Sequence, residues 1–337
     1  MSKKKGNTME KYFSRLGKQA SLTPSKGGSA LAMDYSPRGF LARAVVDKTR
    51  NDISLDNCDM SAWYTLSKLP EKYEKRFVNM QNPDEITLKW LEQSKEVSGK
   101  LWLQLWHLIA KAFLSVFLTQ TDVNGILKRG SMFILSEPQF RHLLVKSGIE
   151  KALTDASREI QVLDIGAGDG EVTLRLVNGI SSIFPSSPMK IYATESSWIM
   201  RSRLAEKQIT VLEEINQLRD VEFISCLNVL DRCIDPHQLL YDMYNALAPN
   251  GRLLLALVLP YSHYVEKNSS HMPLRPLMEH WPSLACLPIE KEIEKFFEQL
   301  EHVGFKILSW TKAPYLCEGD LKQYFYWLND ILVVCSK

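Results

Sequence analysis

The sequence predicts an α/β fold built on a doubly wound, mostly parallel sheet, and three observations lead to this prediction. Short apolar segments alternate with helical patterns from about residue 158 to the end of the chain. The segment VLDIGAGDGEVT, residues 162–173, has the order of a buried strand, a glycine turn and a helix start. The apolar segment IYATESS places Glu195 where an acidic residue ends the next strand of such a unit. We therefore expect a nucleotide-type ligand at the carboxyl edge of the sheet.

Each predicted strand is a short apolar run bounded by turn or helix signals. A late pair near the C-terminus predicts an antiparallel edge on the sheet. In SEPQF, Ser136 is predicted as an N-cap, with Pro138 in the first helical turn. The seven predicted strands are 160–164, 190–194, 209–212, 222–227, 251–259, 304–310 and 330–335.

The strongest helical pattern covers residues 101–118, where apolar side chains recur at helical spacing. This pattern predicts a buried core helix, with Trp102 and Trp106 as core residues. The segment approaches the length of a membrane span, but polar residues at 104, 107 and 111 interrupt it. We therefore predict no membrane span.

The composition is that of a soluble enzyme: 45% of the residues are hydrophobic, 24% are charged and the net charge is +2. Such a charge indicates no nucleic-acid partner. Residues 1–30 carry seven Lys or Arg and one Glu, a local charge of +6, so the rest of the chain carries −4. We predict a basic, disordered tail over 1–45, a helical extension packing on the core over 46–155, and the α/β domain over 156–337.

The six cysteines are scattered and form no C-x-x-C pair, which predicts reduced thiols and an intracellular, cytoplasmic location. No apolar run follows the N-terminal lysines, so no secretory signal is expected. The seven histidines form no H-x-x-x-H or H-x-H pair. The sequence thus predicts no metal site.

The glycine turn favours a cationic nucleotide-type ligand over a dinucleotide. A dinucleotide-binding loop has the pattern G-x-G-x-x-G, but its third glycine position is Glu171 here. Asp164 and Asp169 suit a cation better than a phosphate, and S-adenosyl-L-methionine has a ribose, a sulfonium and an ammonium group. A glycine turn without a ligand remains the structural alternative. The candidate cofactor residues are Asp164, Gly166, Ala167, Gly168 and Glu195.

The segment after the fourth predicted strand brings polar side chains to the same edge of the sheet. Asn228, Asp231 and Arg232 follow the run FISCL directly. The loops at 260–266 and 314–320 are expected to cover the site. Further upstream, the candidate residues Gly130 and Ser131 follow Arg129, and they either contact the cofactor's carboxylate or form a tight turn.

Several long blocks together resemble the methyltransferase-like protein 9 family, also called the DREV family. They are LDIGAGDGEVT with YATE, NGILKRGSMF, FISCLNVLDRC, LALVLPYSHYVE and PYLCEGD, and the resemblance covers residues 60–337. It implies a seven-strand class I S-adenosylmethionine-dependent methyltransferase with a Rossmann-like sheet and an N-terminal helical extension. It also implies an activity: methylation of the Nπ nitrogen of histidine in His-x-His motifs with a small x. Protein or peptide substrates and the product S-adenosyl-L-homocysteine follow from it.

The resemblance also assigns roles by motif position. Asp164, Gly166 and Glu195 match cofactor-binding residues; Asn228 and Asp231 match residues on the acceptor side; and Tyr326 matches a substrate-binding tyrosine. The chain departs from the family in a longer loop around SSIFPSSP, residues 181–188. It also has a lysine-rich tail where vertebrate members have a membrane-directed N-terminus, and this puts the predicted location in question.

The chemistry of such a reaction suits these residue types. Neutral imidazole has one nitrogen without a proton, so methylation of Nπ requires the proton on Nτ. A carboxylate that accepts a hydrogen bond from Nτ–H fixes this tautomer and stabilises the growing positive charge. We predict this role for Asp231, with Asn228 bridging cofactor and acceptor and Tyr326 positioning the peptide. A small-molecule methyltransferase and a non-catalytic binding protein remain the alternatives, and the intact glycine turn and Glu195 argue against the latter.

Overall fold

The structure is a computed structural model, and it describes residues 39–153, 158–266, 270–278 and 287–337. The chain divides into two compact units, 1–46 and 47–337, and residues 39–46 are the described part of the first unit. The described α-helices are α1 (Phe40–Asp56), α2 (Glu85–Gly99), α3 (Leu101–Leu114), α4 (Gln120–Leu127), α5 (Glu137–Lys146), α6 (Ile149–Ala152), α7 (Glu171–Ser181), α8 (Trp198–Glu206), α9 (Pro236–Ala246) and α10 (Ile289–Val303).

The second unit contains one eight-stranded sheet with the order β1-β7-β8-β6-β5-β2-β3-β4. Strands β4, β3, β2, β5 and β6 run parallel, whereas β8, β7 and β1 continue the sheet in antiparallel pairs. The strands are β1 (Met132–Phe133), β2 (Ile160–Ile165), β3 (Met189–Thr194), β4 (Thr210–Leu212), β5 (Val221–Leu227), β6 (Leu247–Leu259), β7 (Lys306–Glu318) and β8 (Phe325–Ser336).

All seven predicted strands are present, so the doubly wound sheet with an antiparallel edge is confirmed. The two C-terminal strands are longer than predicted because they pair as one hairpin, from Lys306 opposite Ser336 to Glu318 opposite Phe325. Residues 314–318 therefore belong to β7, and the prediction that they form a loop is wrong. Strand β1 was not predicted, since two residues are too few to show a period.

The order of strands reverses beside β2, which has β3 on one side and β5 on the other. Both β2 and β5 are almost continuously buried, as parallel strands covered on both faces are. Apolar side chains on one face of the sheet form a single large buried cluster, which includes Leu163, Ile224, Leu255 and Phe296. This rigid centre brings the carboxyl ends of β2, β3 and β5 to one crevice.

The segment before the sheet packs on the C-terminal hairpin. The indole of Trp63 lies 6.1 Å from the ring of Phe325 and 5.7 Å from that of Trp327. At the edge of β7, the amide of Val78 donates a 2.7 Å hydrogen bond to the carbonyl of Trp310. These contacts cover the face of the hairpin opposite the one that carries Tyr326 and Asp330, since side chains alternate along a strand. The predicted domain boundaries stay a prediction.

The prediction that residues 101–118 form a buried core helix is wrong. Helix α3 forms, but Trp102 is 84% exposed whereas Gln104 is 3% exposed. The physical reason is a set of polar contacts on the inner side: Nη1 of Arg129 lies 3.2 Å from Oε1 of Gln104 and 2.8 Å from Nδ1 of His107. These contacts turn the polar face of the helix inward. No helix among the described residues is long and apolar enough to cross a membrane.

Candidate active site

The glycine turn after β2 forms the floor of the candidate active site. The amide of Gly166 in this turn donates a 2.9 Å hydrogen bond to the carbonyl of Thr194, the last residue of β3. Gly166, Gly168 and Gly170 all have positive φ angles, of 70°, 57° and 80°. A Cβ on Gly166 would lie 2.6 Å from Val229, but a Cβ on Gly168 would meet no atom within 4 Å. The open side of the turn is therefore at Gly168, with the half-buried Ala167 before it.

The carboxylate of Glu195 is directed at this turn. One oxygen, Oε2, accepts a 2.9 Å hydrogen bond from the amide of Gly168. The other oxygen, Oε1, accepts from the amides of Ser196 at 2.7 Å and Ser197 at 2.8 Å. Oε1 is thus occupied by two amides, whereas Oε2 keeps a second lone-pair site, and the residue is only partly buried. A carboxylate in this position can accept a hydrogen bond from a ribose hydroxyl.

The two aspartates of the glycine segment are both engaged with the protein. Asp164 is buried, and its oxygens accept hydrogen bonds from the hydroxyls of Thr173 and Ser225. Burial raises the pKa of Asp164 to about 6 in spite of these hydrogen bonds. Asp169 accepts from the amide of Glu171 at the start of α7. The structure thus places Asp164 beneath the turn, and a direct contact between Asp164 and a ligand stays a prediction.

Asn228 follows β5 and has the left-handed backbone conformation, with φ 57°. Its amide donates a 3.1 Å hydrogen bond to the carbonyl of Ala256 on β6. Its side-chain Nδ2 donates a 2.8 Å hydrogen bond to Oδ2 of Asp330, while its buried Oδ1 has no partner among the described residues. Val229, the next residue, packs at Gly166, so Asn228 lies beside the glycine turn.

Asp330 on β8 is a site residue that sequence reasoning missed. It is fully buried, and its Oδ1 also has no partner among the described residues. The pKa of Asp330 is raised to about 8: burial raises it most, the hydrogen bond from Asn228 lowers it, and the nearby Asp231 raises it. In the sequence Asp330 is the first residue of the predicted strand 330–335, directly before the apolar run ILVVC. An acidic residue in a strand that is otherwise apolar was the sequence feature that could have identified it, since a buried carboxyl is rarely retained without a partner or a role.

Asp231 completes a group of three buried side chains with unused acceptor atoms. It is 3% exposed, its Oδ1 has no partner among the described residues, and its Oδ2 lies 3.9 Å from Nε of Arg232. Burial raises the pKa of the Asp231 carboxyl, while the charge of Arg232 lowers it. Buried acceptors without hydrogen bonds are costly, so Oδ1 of Asn228 and Asp231 suit a ligand that brings N–H groups or positive charge, and Oδ1 of Asp330 does so when its carboxyl is ionised.

Tyr326 lies farther along the same strand. It is on the same face of β8 as Asp330, four residues away, a distance of about 13 Å along the strand. Its hydroxyl donates a 2.9 Å hydrogen bond to Oδ1 of Asp320 in the turn of the hairpin. The structure therefore brings Asn228, Asp231 and Asp330 together and sets Tyr326 at the rim, toward the hairpin tip.

Gly130 and Ser131 hold a carboxylate, but it belongs to the protein. Their amides donate to Oε2 of Glu318 at 3.0 and 3.3 Å, and Nε of Arg129 lies 3.0 Å from Oε1 of the same residue. Gly130 has φ 78°, as a tight turn requires. Of the two interpretations given by the sequence, the turn is the one visible here, and contact of these amides with a cofactor stays a prediction.

The loop after β6 lies over the acceptor side of the site. The amide of Tyr264 donates a 2.8 Å hydrogen bond to the carbonyl of Asp231. Glu266 accepts from the amide of Gln120 at 3.0 Å and so caps the start of α4. Helix α4 is in turn linked to the cofactor side, because Oγ of Ser197 donates to Oδ1 of Asp122 at 2.6 Å. The predicted covering role of residues 260–266 stays a prediction.

Metal ligands are not clustered in the described part of the chain. No group of three or more His, Cys, Asp or Glu side chains there could hold a metal ion. The described cysteines are free thiols. Burial raises the pKa of Cys226, Cys233 and Cys317, so these thiols near the site are protonated and weakly nucleophilic.

The strand order, the open glycine turn after β2 and the acidic residue after β3 define a class I S-adenosylmethionine-dependent methyltransferase with a Rossmann-like sheet. The sequence matches the family DREV methyltransferase over residues 63–337, and the chain belongs to that family. S-adenosyl-L-methionine is accordingly its cofactor. The open approach at Gly168 and the free lone pair on Oε2 of Glu195 fit its adenosine, and the unused acceptor Oδ1 of Asn228 fits its cationic end.

The individual proteins that match the chain have low sequence identity to it. Over 164 residues, 42% of the chain, the sequence is 27% identical to the histamine N-methyltransferase of Xenopus tropicalis, and the match spans 53%, about half, of that protein. Among solved structures, the CurJ carbon methyltransferase is 16% identical, with a TM-score of 0.39, and the match covers 77% of this chain and 76% of that one. A TehB-like methyltransferase from Corynebacterium glutamicum is 16% identical, with a TM-score of 0.34, over 57% and 86%.

Proposed function

We propose that the protein methylates the Nπ nitrogen of histidine in His-x-His motifs of proteins or peptides, where x is small. The observation that carries this proposal is a pair of unused buried acceptors, Oδ1 of Asn228 and Asp231, beside the buried carboxyl of Asp330. An imidazole with its proton on Nτ presents one N–H donor, and it becomes a cation when its other nitrogen is methylated. An acceptor-rich, desolvated site favours that cation over neutral imidazole.

Orientation is the main task of the protein in this reaction. The cofactor supplies an electrophilic methyl group on a sulfonium, and no covalent enzyme intermediate is needed. Asp231 accepts the Nτ–H hydrogen bond, which holds the bare lone pair of Nπ toward the methyl group and fixes the tautomer. As positive charge grows on the ring, the same carboxylate stabilises it in a low-dielectric setting. Asp231 then takes the Nτ proton or passes it to solvent, which returns the ring to neutrality.

Asn228 fits a bridging role between donor and acceptor. One N–H of its Nδ2 is used by Asp330, and Oδ1 is the acceptor available to a ligand. Oδ1 accepts from an N–H of the cofactor or of the imidazole, and the left-handed backbone at Asn228 fixes the direction of that atom.

The position of Tyr326 supports an extended peptide rather than a small compact acceptor. Two histidines separated by one residue lie about 7 Å apart in an extended chain. The separation of about 13 Å between Asp330 and Tyr326 leaves room for one imidazole at Asp231 and the second nearer the hairpin tip. Tyr326 thus supports binding of the flanking histidine or of the peptide backbone.

A small-molecule acceptor is the second candidate, and one observation favours it. The matched relative is named for methylation of histamine, which is itself an imidazole. Both candidates therefore share an imidazole acceptor and differ in whether a peptide is attached to it. The His-x-His peptide, free histidine and histamine are the substrates that separate them.

The test is methyl transfer from labelled S-adenosyl-L-methionine to a peptide containing His-Ala-His. We expect incorporation of one methyl group at Nπ, assigned by fragmentation and comparison with Nπ- and Nτ-methylhistidine standards. A peptide with His-Ala-Ala serves as the matched control and should be a much poorer substrate. If the cofactor binds but the peptide gains no methyl group, the proposal is wrong. Transfer to histamine but not to peptide would favour the second candidate.

A further inference from the structure

Helix α3 is amphipathic, but its apolar face is exposed and its polar face is turned toward the body of the protein. Its apolar face consists of Trp102, Trp106, Ile109, Phe113, Val116 and Phe117, the last two in the turn that follows the helix. All six side chains are exposed, from 62% for Trp106 to 84% for Trp102. We infer that this apolar face docks on a phospholipid surface, with α3 lying in the plane of the membrane interface.

The inner side of α3 shows that this orientation is specified by the chain. Gln104 is 3% exposed, and its Nε2 donates a 2.8 Å hydrogen bond to the carbonyl of Val97. Its Oε1 accepts from Arg129, which also contacts Nδ1 of His107. A rotation that buried the tryptophans would leave Arg129 without these partners, at the cost of unsatisfied buried polar groups. Contiguous apolar exposure of this kind marks an interaction site.

The width of the exposed surface favours lipid over a single partner helix. At about 100° per residue, the apolar face together with the exposed Leu101 and Leu108 covers about 180° of the helix surface. A seam between two helices is a much narrower stripe. A helix half-sunk in the boundary between headgroups and acyl chains buries such a wide arc in one step, and Trp, Phe and Leu are typical of that side.

Charge and length point to the same occupant. Residues 101–118 contain no Asp or Glu, so no anionic side chain of this segment opposes contact with headgroup phosphates. The 14 residues of α3 give a length of about 21 Å, shorter than the roughly 30 Å hydrocarbon layer. The helix therefore suits a position in the interface and not a span.

Docking at this face would also position the candidate active site. Besides its contacts to α3, Arg129 donates to the carbonyl of Gly319 and pairs with Glu318 at the tip of the β7–β8 hairpin. The helix and the rim that carries Tyr326 are thus joined through one buried side chain. A protein held by α3 would meet its substrates at a membrane surface. This inference is independent of which acceptor is methylated.

The test is vesicle flotation of the full chain. Vesicles of phosphatidylcholine alone, in high salt, isolate the apolar contribution, because salt screens attraction between the basic residues of 1–30 and anionic lipid. We expect the protein to float with these vesicles, and more completely when phosphatidylserine is added at low salt. If the protein floats with neither kind of vesicle, the inference is overturned.

Two variants make the assignment specific. The double variant Trp106→Ser/Phe113→Ser should lower the partition coefficient at least about tenfold, since each of these side chains contributes apolar area to the interface. The matched control Ile53→Ser removes a side chain that is also exposed, by 57%, but belongs to α1. Its flotation should be unchanged. Both variants replace exposed residues, so cofactor binding and melting temperature should be retained.

Two further results would contradict the assignment. Equal flotation of the double variant and the unsubstituted protein would place the lipid contact elsewhere. A dimer in lipid-free solution that the double variant abolishes, seen by sedimentation velocity, would show that a second copy of the chain covers the apolar face.

Discussion

Nδ2 of Asn228 donates a 2.8 Å hydrogen bond to Oδ2 of Asp330, and this contact joins the turn after β5 to the middle of β8. It fixes the orientation of the Asn228 carboxamide, which then offers Oδ1 as an acceptor and the second N–H of Nδ2 as a donor. It also fixes the orientation of a residue whose backbone is in a sparsely populated conformation. The buried carboxyl of Asp330 thus acts on the site mainly through its neighbour.

We expect Asp330→Asn to lower kcat at least about tenfold above about pH 8, where the native carboxyl is ionised, while leaving the cofactor Kd within a few fold. The substituted amide can still accept from Asn228, but it stays neutral and places an N–H₂ group at the position of Oδ1, so it cannot stabilise a cation there by charge. Because the pKa of Asp330 is about 8, the variant should also lose any limb of the pH–rate profile near that value. Peptide methylation rates between pH 6 and 9.5 measure both effects.

Asn329→Ala is the matched control for this experiment, since its side chain lies on the opposite face of β8. If Asp330→Asn and Asn329→Ala give the same rates and the same pH profile, Asp330 has no positioning role.

Asp231→Asn should reduce methyl transfer by about 10²- to 10⁴-fold, the usual range for loss of a positioned acid–base group. An amide can still accept a hydrogen bond, but it cannot stabilise the imidazolium by charge or receive its proton. Cofactor affinity should stay within a few fold. Single-turnover transfer to the His-Ala-His peptide, with cofactor binding measured separately by calorimetry, tests this. Full activity in the variant would contradict the tautomer argument.

Sequence reasoning predicted those site residues that belong to short motifs or lie at a fixed spacing along the chain. The glycine turn and Glu195 are separated by a fixed strand–helix–strand unit, so their spacing alone was enough to bring them together. Asp330 could not be found in this way, because its contact with Asn228 joins residues 102 positions apart across an antiparallel edge. The antiparallel pairing of β8 with β6, in which Asp330 lies opposite Val258, sets that contact, and its register extends along seven residues rather than a short motif.

Helix α3 shows a different limit of sequence reasoning. Its apolar residues recur with a helical period, and the helix itself was predicted correctly. The period identifies the apolar face but not the direction that this face takes. That direction is set by Arg129, which holds Gln104 and His107 toward the body of the protein. The polar contacts of Arg129 therefore determine that six apolar side chains of the helix are exposed rather than buried.

The glycines of the turn should separate cofactor binding from folding. Both Gly168 and Gly170 have positive φ, so Ala costs about 1–2 kcal/mol of backbone strain at either position. A Cβ at Gly170 would also lie 2.9 Å from Leu204, whereas the space at Gly168 is open. We expect Gly170→Ala to lower the melting temperature more, and Gly168→Ala to weaken cofactor binding more. Thermal denaturation with and without cofactor measures the two effects, and equal effects at both positions would contradict the assignment of Gly168 to the ligand.

Tyr326→Phe should affect peptide binding more than chemistry. The hydroxyl bonds Asp320 at the hairpin tip, about 13 Å along the strand from Asp330, and does not lie beside the reacting group. Loss of the hydroxyl should therefore raise KM for the His-Ala-His peptide several fold, with a smaller change in kcat. Steady-state kinetics with varied peptide tests this. A large fall in kcat at unchanged KM would instead place Tyr326 at the reacting atoms.

The buried carboxyl of Asp330 should also make stability depend on pH. Its pKa is raised by burial from an ordinary value of 3.8 to about 8 in the folded protein. Between these two values the folded state keeps a proton that the unfolded state has released, so the free energy of unfolding falls as pH rises and levels off above about pH 8. Asp330→Asn has no proton to lose at this position. We therefore expect the variant to lose less stability than the unsubstituted protein between pH 5 and 8.

Urea denaturation at several pH values compares the two proteins directly. Glu292, whose pKa burial raises to about 7, contributes a slope of the same sign, but it is present in both proteins and cancels in the difference. The difference in unfolding free energy should thus grow in favour of the variant up to about pH 8 and stay constant above it. Parallel curves over the whole range would mean that Asp330 is ionised in the folded protein at neutral pH. Its role would then be that of a second anion beside Asp231 rather than a neutral partner of Asn228.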